Sequence, residues 1–377
     1  MLSGKFNILF DSSWGSSAKG AAAARLADIF KVQNASTCNF PNAGHTVIIN
    51  GEKFVFKVLP SPAALCKFGH KMKLWIGPNS GFFEDQLKNE VIQTDLSNQG
   101  SILEIHDRAI VVEDRHKDME SPSGSQSTLH ISSTMSGSGA AYAEKAMRSK
   151  NVRTYNGKWN NVGTSLYDFF DGVHEALRLG QMFIHEVSQG WALSVNCGTH
   201  YPSCTFRDCT PQQACADFCI TPNQIGDVYM NVRSFPIRVG NNYNEAGAMI
   251  GYSGDFLPDQ TETSWEEIGK NAEMPEDEIK ALEERERTTV TKKIRRVATQ
   301  SWSLIKRSAK LSGATKIILN FPQYIHYSAH RVRGGRADFR HMHNKVREYV
   351  DKLEDETSLP VCMIGTGAEH RDYVWLL

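Results

Sequence analysis

Residues 5–30 read KFNILFD, then SSWGSSAKG, then AAAARLADIF. The first seven carry Phe6, Ile8, Leu9 and Phe10 in close succession and read as a buried strand. The middle nine are small and polar. The last ten open on four alanines and favour a helix, because alanine loses no side-chain entropy on entering one. Strand, small-residue loop and helix in that order form the usual entry to a nucleotide-binding α/β sheet. The loop Trp14-Gly15-Ser16-Ser17-Ala18-Lys19-Gly20 departs from the Walker A pattern, because its glycine spacing is short and Gly20 follows the lysine in place of Ser or Thr. It still offers free backbone N–H groups, a lysine and a helix N-terminus, a workable phosphate cradle. The bland alternative is an ordinary strand–helix turn with an exposed lysine.

Downstream, Thr46–Asn50 and Lys53–Val58 flank Asn50-Gly51, a strong hairpin signal. Strand character recurs at Leu74–Gly77, Ile102–Val112, Met182–Val187, Asp227–Val239, Lys316–Phe321 and Leu359–Gly365. Helices are expected over Gly81–Thr94, Ser165–Leu179, Pro275–Arg287, Thr299–Leu311 and Ala337–Leu353. The alternation predicts an α/β fold with a central, mostly parallel sheet flanked by helices. No repeat or linker divides the chain, so 1–377 is read as a single domain. Ser121–Gly139 is rich in Ser, Gly and Thr, the composition of either a phosphate-handling loop or an unstructured insert.

Lysine plus arginine and aspartate plus glutamate balance at 42 each, so no basic field advertises nucleic-acid binding, and any anionic ligand must be held by local clusters. The one contrary cluster, Arg331-Val332-Arg333-Gly334-Gly335-Arg336, does not outweigh that balance. No apolar run approaches membrane-spanning length, and the N-terminus lacks a signal peptide's charged start and cleavage site. Cys197, Cys204, Cys209, Cys215 and Cys219 crowd together with irregular spacing and no C-x-x-C, which favours reduced thiols packed as small apolar groups over a zinc site.

Asn42-Ala43-Gly44-His45-Thr46 places a histidine beside a glycine, where it can approach a ligand closely as acid or cation, although a lone histidine is more often structural. Together with the W-G-x-x-x-K-G loop and the Asn-Gly hairpin, this segment resembles the adenylosuccinate synthetases. The likeness continues through His106-Asp107-Arg108-Ala109, Gly137-Ser138-Gly139-Ala140-Ala141-Tyr142, Ser188-Gln189-Gly190, Thr199-His200-Tyr201-Pro202, Arg238-Val239-Gly240 and Gly365-Thr366-Gly367, in the family's order over almost the whole chain.

The resemblance implies a P-loop-NTPase-related architecture and a two-step reaction. A nucleoside triphosphate phosphorylates the purine six-oxygen, and the aspartate amine then displaces that phosphate. It implies catalytic roles for His45, Lys19, Gln189 and position 16. It further implies contacts from Asn42, Thr134, Thr205 and Val239 to the substrate nucleotide, with Arg148 reaching the substrate phosphate of a neighbouring subunit in a homodimer. Thr291, Lys293 and Arg295 would face the aspartate. Ser17, Ala18, Lys19, Gly20, Gly44, Thr46, Asn320, Gln323, Gly365, Thr366 and Gly367 would surround the triphosphate donor, and Mg²⁺ would sit near Ser16 and the Gly44 carbonyl. The location implied is cytoplasmic, the host's cytoplasm for a phage-encoded member.

Two departures sharpen the expectation. Ordinary members carry an aspartate at position 16, as general base on purine N1 and magnesium ligand, and a glutamate next to it; here the residues are Ser16 and Ser17. A neutral hydroxyl cannot replace a carboxylate, which leaves a silent homologue or a different substrate. A guanine carries a 2-amino group beside N1, and a small hydroxyl leaves room for it; serine here resembles the phage-type members acting on dGMP. Asp11 stands where the family usually has glycine, and is read as a strand-end residue rather than a replacement base. The family's guanine-reading aspartate is replaced in Asn320-Phe321-Pro322-Gln323 by a glutamine, whose amide both donates and accepts and suits the adenine edge. The expected donor is therefore ATP or dATP, the expected substrates dGMP and L-aspartate, and the expected product 2-amino-2′-deoxy-N6-succinyladenylate for diaminopurine deoxynucleotide synthesis. A conventional synthetase using IMP is the runner-up.

Overall fold

A computed structural model describes residues 5–96, 100–156, 166–288 and 292–377. Its centre is a nine-stranded sheet. In chain order the strands are β1 (Phe6–Asp11), β2 (Asn34–Thr37), β5 (Lys73–Ile76), β6 (Ile102–Ile105), β7 (Phe183–Glu186), β8 (Ile225–Arg233), β9 (Lys316–Asn320), β10 (Val361–Gly365) and β11 (Tyr373–Trp375), with β3 (His45–Ile49) and β4 (Glu52–Phe56) forming a separate hairpin. Across the sheet the order is β11-β10-β9-β8-β1-β7-β2-β5-β6. Every neighbour pair is parallel except β10–β11.

Side chains alternate across β1 and feed two cores. Leu9 joins Ala22, Ala23, Leu26, Leu74 and Ile318 on the face covered by α1 (Lys19–Phe30). Phe6, Ile8 and Phe10 join Phe169, Phe218, Leu304 and Val350 on the other. All six residues of β1 are buried, including Asn7 and Asp11, because the strand is covered on both faces.

Several expected elements are cut by local chemistry. The expected helix from Gly81 begins only at Glu84, after a two-residue strand at Gly81–Phe82. The run Ile102–Val112 breaks where Ala109 N bonds back to His106 O, leaving β6 and a short strand at Ile110–Val111. Asp227–Val239 breaks before Pro236, which has no N–H for a ladder; Ile237–Arg238 then pairs with Arg296–Ala298 in a small antiparallel sheet. The final helix starts at Asn344, after a separate turn of helix at Arg336–Arg340. The expected start at Ser165 lies outside the described residues; the helix is described from Leu166 to Arg178. Of the crowded cysteines, Cys209 is buried and Cys219 exposed, and all are free. No described helix is long and apolar enough to cross a membrane.

Candidate active site

The site forms where loops leave the C-terminal ends of β1, β7 and β8, as ligand sites do in parallel α/β sheets. Gly15, Ser16 and Ala18 all have positive φ (95°, 54° and 63°), which curls the loop after β1 into a cradle at the start of α1. Ser16 is exposed at its rim. Ser17 is turned inward, its Oγ and carbonyl accepting from Asn231 Nδ2 at 3.0 and 2.6 Å, so it presents backbone rather than hydroxyl to a ligand. Lys19 is buried and donates to the Gln189 carbonyl at 2.7 Å. Gly190 packs so tightly on the β1 loop that a Cβ there would fall 2.3 Å from Ser13 O, which explains the glycine and joins Gln189 to the cradle.

Asp11 accepts from Ser13 N at 2.6 Å and Ser13 Oγ at 3.1 Å through Oδ1. Its Oδ2 is fully buried 3.9 Å from Lys19 Nζ. It thus supports the loop from below and offers the lysine a counter-charge.

His45 starts the hairpin, and Gly20 lets α1 reach it: a Cβ on Gly20 would lie 3.3 Å from His45 Cβ and 3.2 Å from Thr46 O. His45 Nδ1 lies 2.6 Å from Glu186 Oε1 at the end of β7. Glu186 Oε2 accepts from Ser61 N at 3.0 Å. Burial would push this carboxyl up, but the His45 ring and the Ser61 bonds outweigh it and hold it at about 2. The Glu186 carboxylate, in close ion-pair contact with Nδ1 but not aligned as a hydrogen-bond acceptor, favours a proton on that nitrogen, and no hydrogen bond to Nε2 is seen among the described residues. Sequence reasoning missed Glu186 because FIHE reads simply as a buried strand.

Asn42 Nδ2 donates to Thr205 Oγ1 at 3.3 Å, so these two expected nucleotide contacts meet. Thr134 lies apart in the Ser/Gly loop, bonded to Ser136. That loop is anchored by Glu120, a residue the sequence did not single out, which accepts from Gly137 N, Gly139 N and Ala140 N at the start of α2 (Ser138–Ala146). Arg148 lies beyond the end of α2, with φ 56° and an exposed side chain.

Thr291 lies outside the described residues. Lys293 packs beside Gly240, where an added Cβ would meet Lys293 Cβ at 3.2 Å, while Arg295 is turned to Glu286, its Nη1 3.1 Å from Glu286 Oε2. Desolvation holds both cations below their usual ranges, the Arg295 shift being opposed by Glu286. On the donor side, Gln323 Oε1 is buried without a hydrogen-bond partner among the described residues. Asn320 and Thr366 are placed differently from Gln323. The Asn320 amide donates to Asn231 Oδ1 at 2.9 Å, and Thr366 Oγ1 donates to Val332 O at 2.6 Å, so both side chains are engaged within the protein. Gly365 and Gly367 allow this packing, as added Cβ atoms would lie 2.0 Å from Asn320 Oδ1 and 2.4 Å from Asp372 Oδ2.

The adenylosuccinate synthetase family model matches residues 8–157 and 149–327. The chain belongs to the adenylosuccinate synthetase family. Its members are carbon–nitrogen ligases. Among its relatives, the N6-succino-2-amino-2′-deoxyadenylate synthase of Vibrio phage phiVC8 is 31% identical over 330 residues, with 85% of this chain and 86% of the relative covered. The adenylosuccinate synthetase of Pyrococcus horikoshii is 28% identical, with 96% of each covered. The cyanophage S-2L succinoaminodeoxyadenylate synthetase, solved bound to dGMP and to dATP as an energy donor, matches with TM-score 0.80 and 27% identity over 99% of this chain and 95% of that one. The Plasmodium falciparum adenylosuccinate synthetase shares the fold, with TM-score 0.79 and 15% identity over 99% of this chain and all of that one.

Proposed function

We propose that the chain, acting as a single domain, joins L-aspartate to carbon 6 of dGMP with ATP or dATP as phosphoryl donor, giving 2-amino-2′-deoxy-N6-succinyladenylate. The observation that carries this reading is Ser16, which stands exposed at the rim of the cradle and leaves room for a purine 2-amino group. The phage relatives' names and the dGMP and dATP in the cyanophage structure support it.

In the first step the guanine six-oxygen attacks the γ-phosphorus, the bond from that phosphorus to the β,γ-bridging oxygen breaks and releases the diphosphate, and the N1 proton passes to solvent water. His45, with both ring nitrogens protonated and Nδ1 against the Glu186 carboxylate, presents Nε2–H as donor to the oxygen on which negative charge develops. Lys19 and the loop N–H groups hold the donor phosphates. In the second step the aspartate amine attacks carbon 6 and phosphate leaves; Lys293 and Arg295 bind the dicarboxylate, and their partial desolvation strengthens that attraction. The oxygens of Ser16 and Gly44 suit Mg²⁺ as a hard cation that takes most of its ligands from donor phosphates and water. When bound, the ion would neutralise charge on the transferring phosphoryl group.

Buried, unpaired Gln323 Oε1 supports an adenine donor, because an amide oxygen can accept from the exocyclic amine. By the family resemblance we infer a homodimer in which the exposed Arg148 completes the partner's nucleotide site, working in the cytoplasm of the producing cell. Incubating the protein with dGMP or IMP, aspartate, ATP and Mg²⁺, followed by phosphate release and mass analysis, tests the reading. The expected result is a succinyl product from dGMP at far higher kcat/KM than from IMP; comparable values would overturn the guanine assignment.

A further inference from the structure

One guanidinium bonds the nucleotide loop and touches residues adjoining the other two subsites. Arg233, at the end of β8, has a side chain 1% exposed. Its Nη1 donates to the Ser16 carbonyl at 2.7 Å, and its Nε donates to Phe235 O at 2.9 Å. Its Nη2 donates to Glu286 Oε1 at 2.7 Å, and its face lies 4.1 Å from the centre of the Phe321 ring, two residues before Gln323. Glu286 is buried too, and its Oε2 pairs with Arg295 Nη1 at 3.1 Å while Tyr324 donates to Oε1 at 2.5 Å. Gln300 Nε2, bonded to Arg233 O at 2.9 Å, pins the backbone.

A buried Arg–Glu–Arg set is a weak device for stability, since desolvation offsets much of the attraction. This one carries one more positive than negative charge, and Arg295 Nε is buried with no partner among the described residues. A dicarboxylate arriving at Arg295 would supply the missing anion. As Arg295 turns toward it, Glu286 is left to Arg233, and the position of Arg233 fixes the Ser16 carbonyl. Lysine could not replace Arg233, because an ammonium lacks the fork that bonds in several fixed directions at once.

We propose that Arg233 and Glu286 are positioning residues that couple the aspartate loop to the nucleotide loop, so that aspartate and dGMP each tighten the other's binding. The inference rests on the site reading above, with aspartate at Lys293 and Arg295 and the nucleotide at Ser16. Coupling between sites is reciprocal and usually amounts to about 5–150-fold in affinity.

The test measures the dGMP dissociation constant by calorimetry in the presence of a non-hydrolysable ATP analogue and Mg²⁺, with and without saturating succinate as an unreactive dicarboxylate. Succinate should tighten dGMP binding at least about fivefold in the parent protein. That ratio should fall below about twofold in Arg233→Lys and Glu286→Gln, whereas a purely structural role would lower the melting temperature and leave the ratio intact. Tyr324→Phe removes a hydroxyl and no charge; it should at least halve the ratio and serves if the charge variants do not fold. Unchanged ratios in folded variants, or no coupling in a parent that turns over dGMP, aspartate and ATP, would overturn the proposal. A parent that neither binds dGMP nor forms product would instead overturn the site reading on which the proposal stands.

Discussion

At His45 the ring's chemistry is set by a carboxylate 2.6 Å from Nδ1. Glu186→Gln keeps the shape and the Ser61 contact but removes the charge that holds the Nδ1 proton. It should lower kcat about tenfold or more with little change in KM, while His45→Ala, which removes the donor itself, should cost roughly 10²–10³ in kcat. A Glu186→Gln enzyme with the parent's kcat would make the carboxylate merely structural. Lys19 and His45 stood out in the sequence because small residues flank them, as loop chemistry often requires, whereas Gln189 and Gly44 were singled out only by the family resemblance. Glu186 and Arg233 were not, because each ends an apolar strand, and no spacing reveals which loop a strand end will face. Thr134 and Thr205 carried no residue-level signal either; only the family resemblance pointed to them.

The contact between α1 and the hairpin decides whether the phosphate cradle and the histidine share a site. It depends on Gly20, where an added Cβ would meet Ser61 Oγ at 2.7 Å as well as the backbone of Thr46. Gly20→Ala should therefore cost about 1–3 kcal/mol as overpacking, and should lower single-turnover phosphoryl transfer as α1 is pushed from His45. An unfolding midpoint and a transfer rate both equal to the parent's would show that the contact has slack. The hairpin itself was plain from the sequence, as Asn50-Gly51 supplies the two positive φ angles (52° and 81°) that its tight turn requires. By contrast, β2 was invisible, because Asn34-Ala35-Ser36-Thr37 has no apolar pattern. Its polar side chains are buried by pairing with Gln181, His185 and the Glu186 carbonyl, contacts made only once distant strands meet. Helix ends shifted by a few residues wherever a turn or a proline intervened, which periodicity does not register.

Over the whole molecule, the interior should make stability fall on mild acidification. Burial, the largest cause, together with the nearby Arg207 lowers the His185 pKa to about 4, against the opposing pull of Asp217 and Glu186. A histidine held neutral in the fold stabilises fully above its unfolded value of 6.5, and that stability is lost as pH falls from there toward about 4. The shift corresponds to about 3 kcal/mol at most. Melting temperature should therefore drop between pH 7 and 5, and less so in His185→Gln; a flat profile would contradict the buried neutral ring. Assembly is tested through Arg148, exposed past the end of α2. Mixing Arg148→Leu subunits with His45→Ala subunits should restore activity, since one site of each heterodimer keeps both residues. Verified heterodimers without activity would remove Arg148 from the partner's site. The strand order also dictates a timetable. β1 lies between β7 and β8, which come from residues 183–186 and 225–233. A ribosome needs on the order of tens of seconds to reach that point. Until β7 is made, about halfway through synthesis, the emerging β1 has no sheet neighbour to pair, and its second neighbour is complete only at residue 233, so the nascent chain carries an unsatisfied strand edge of the kind that invites aggregation.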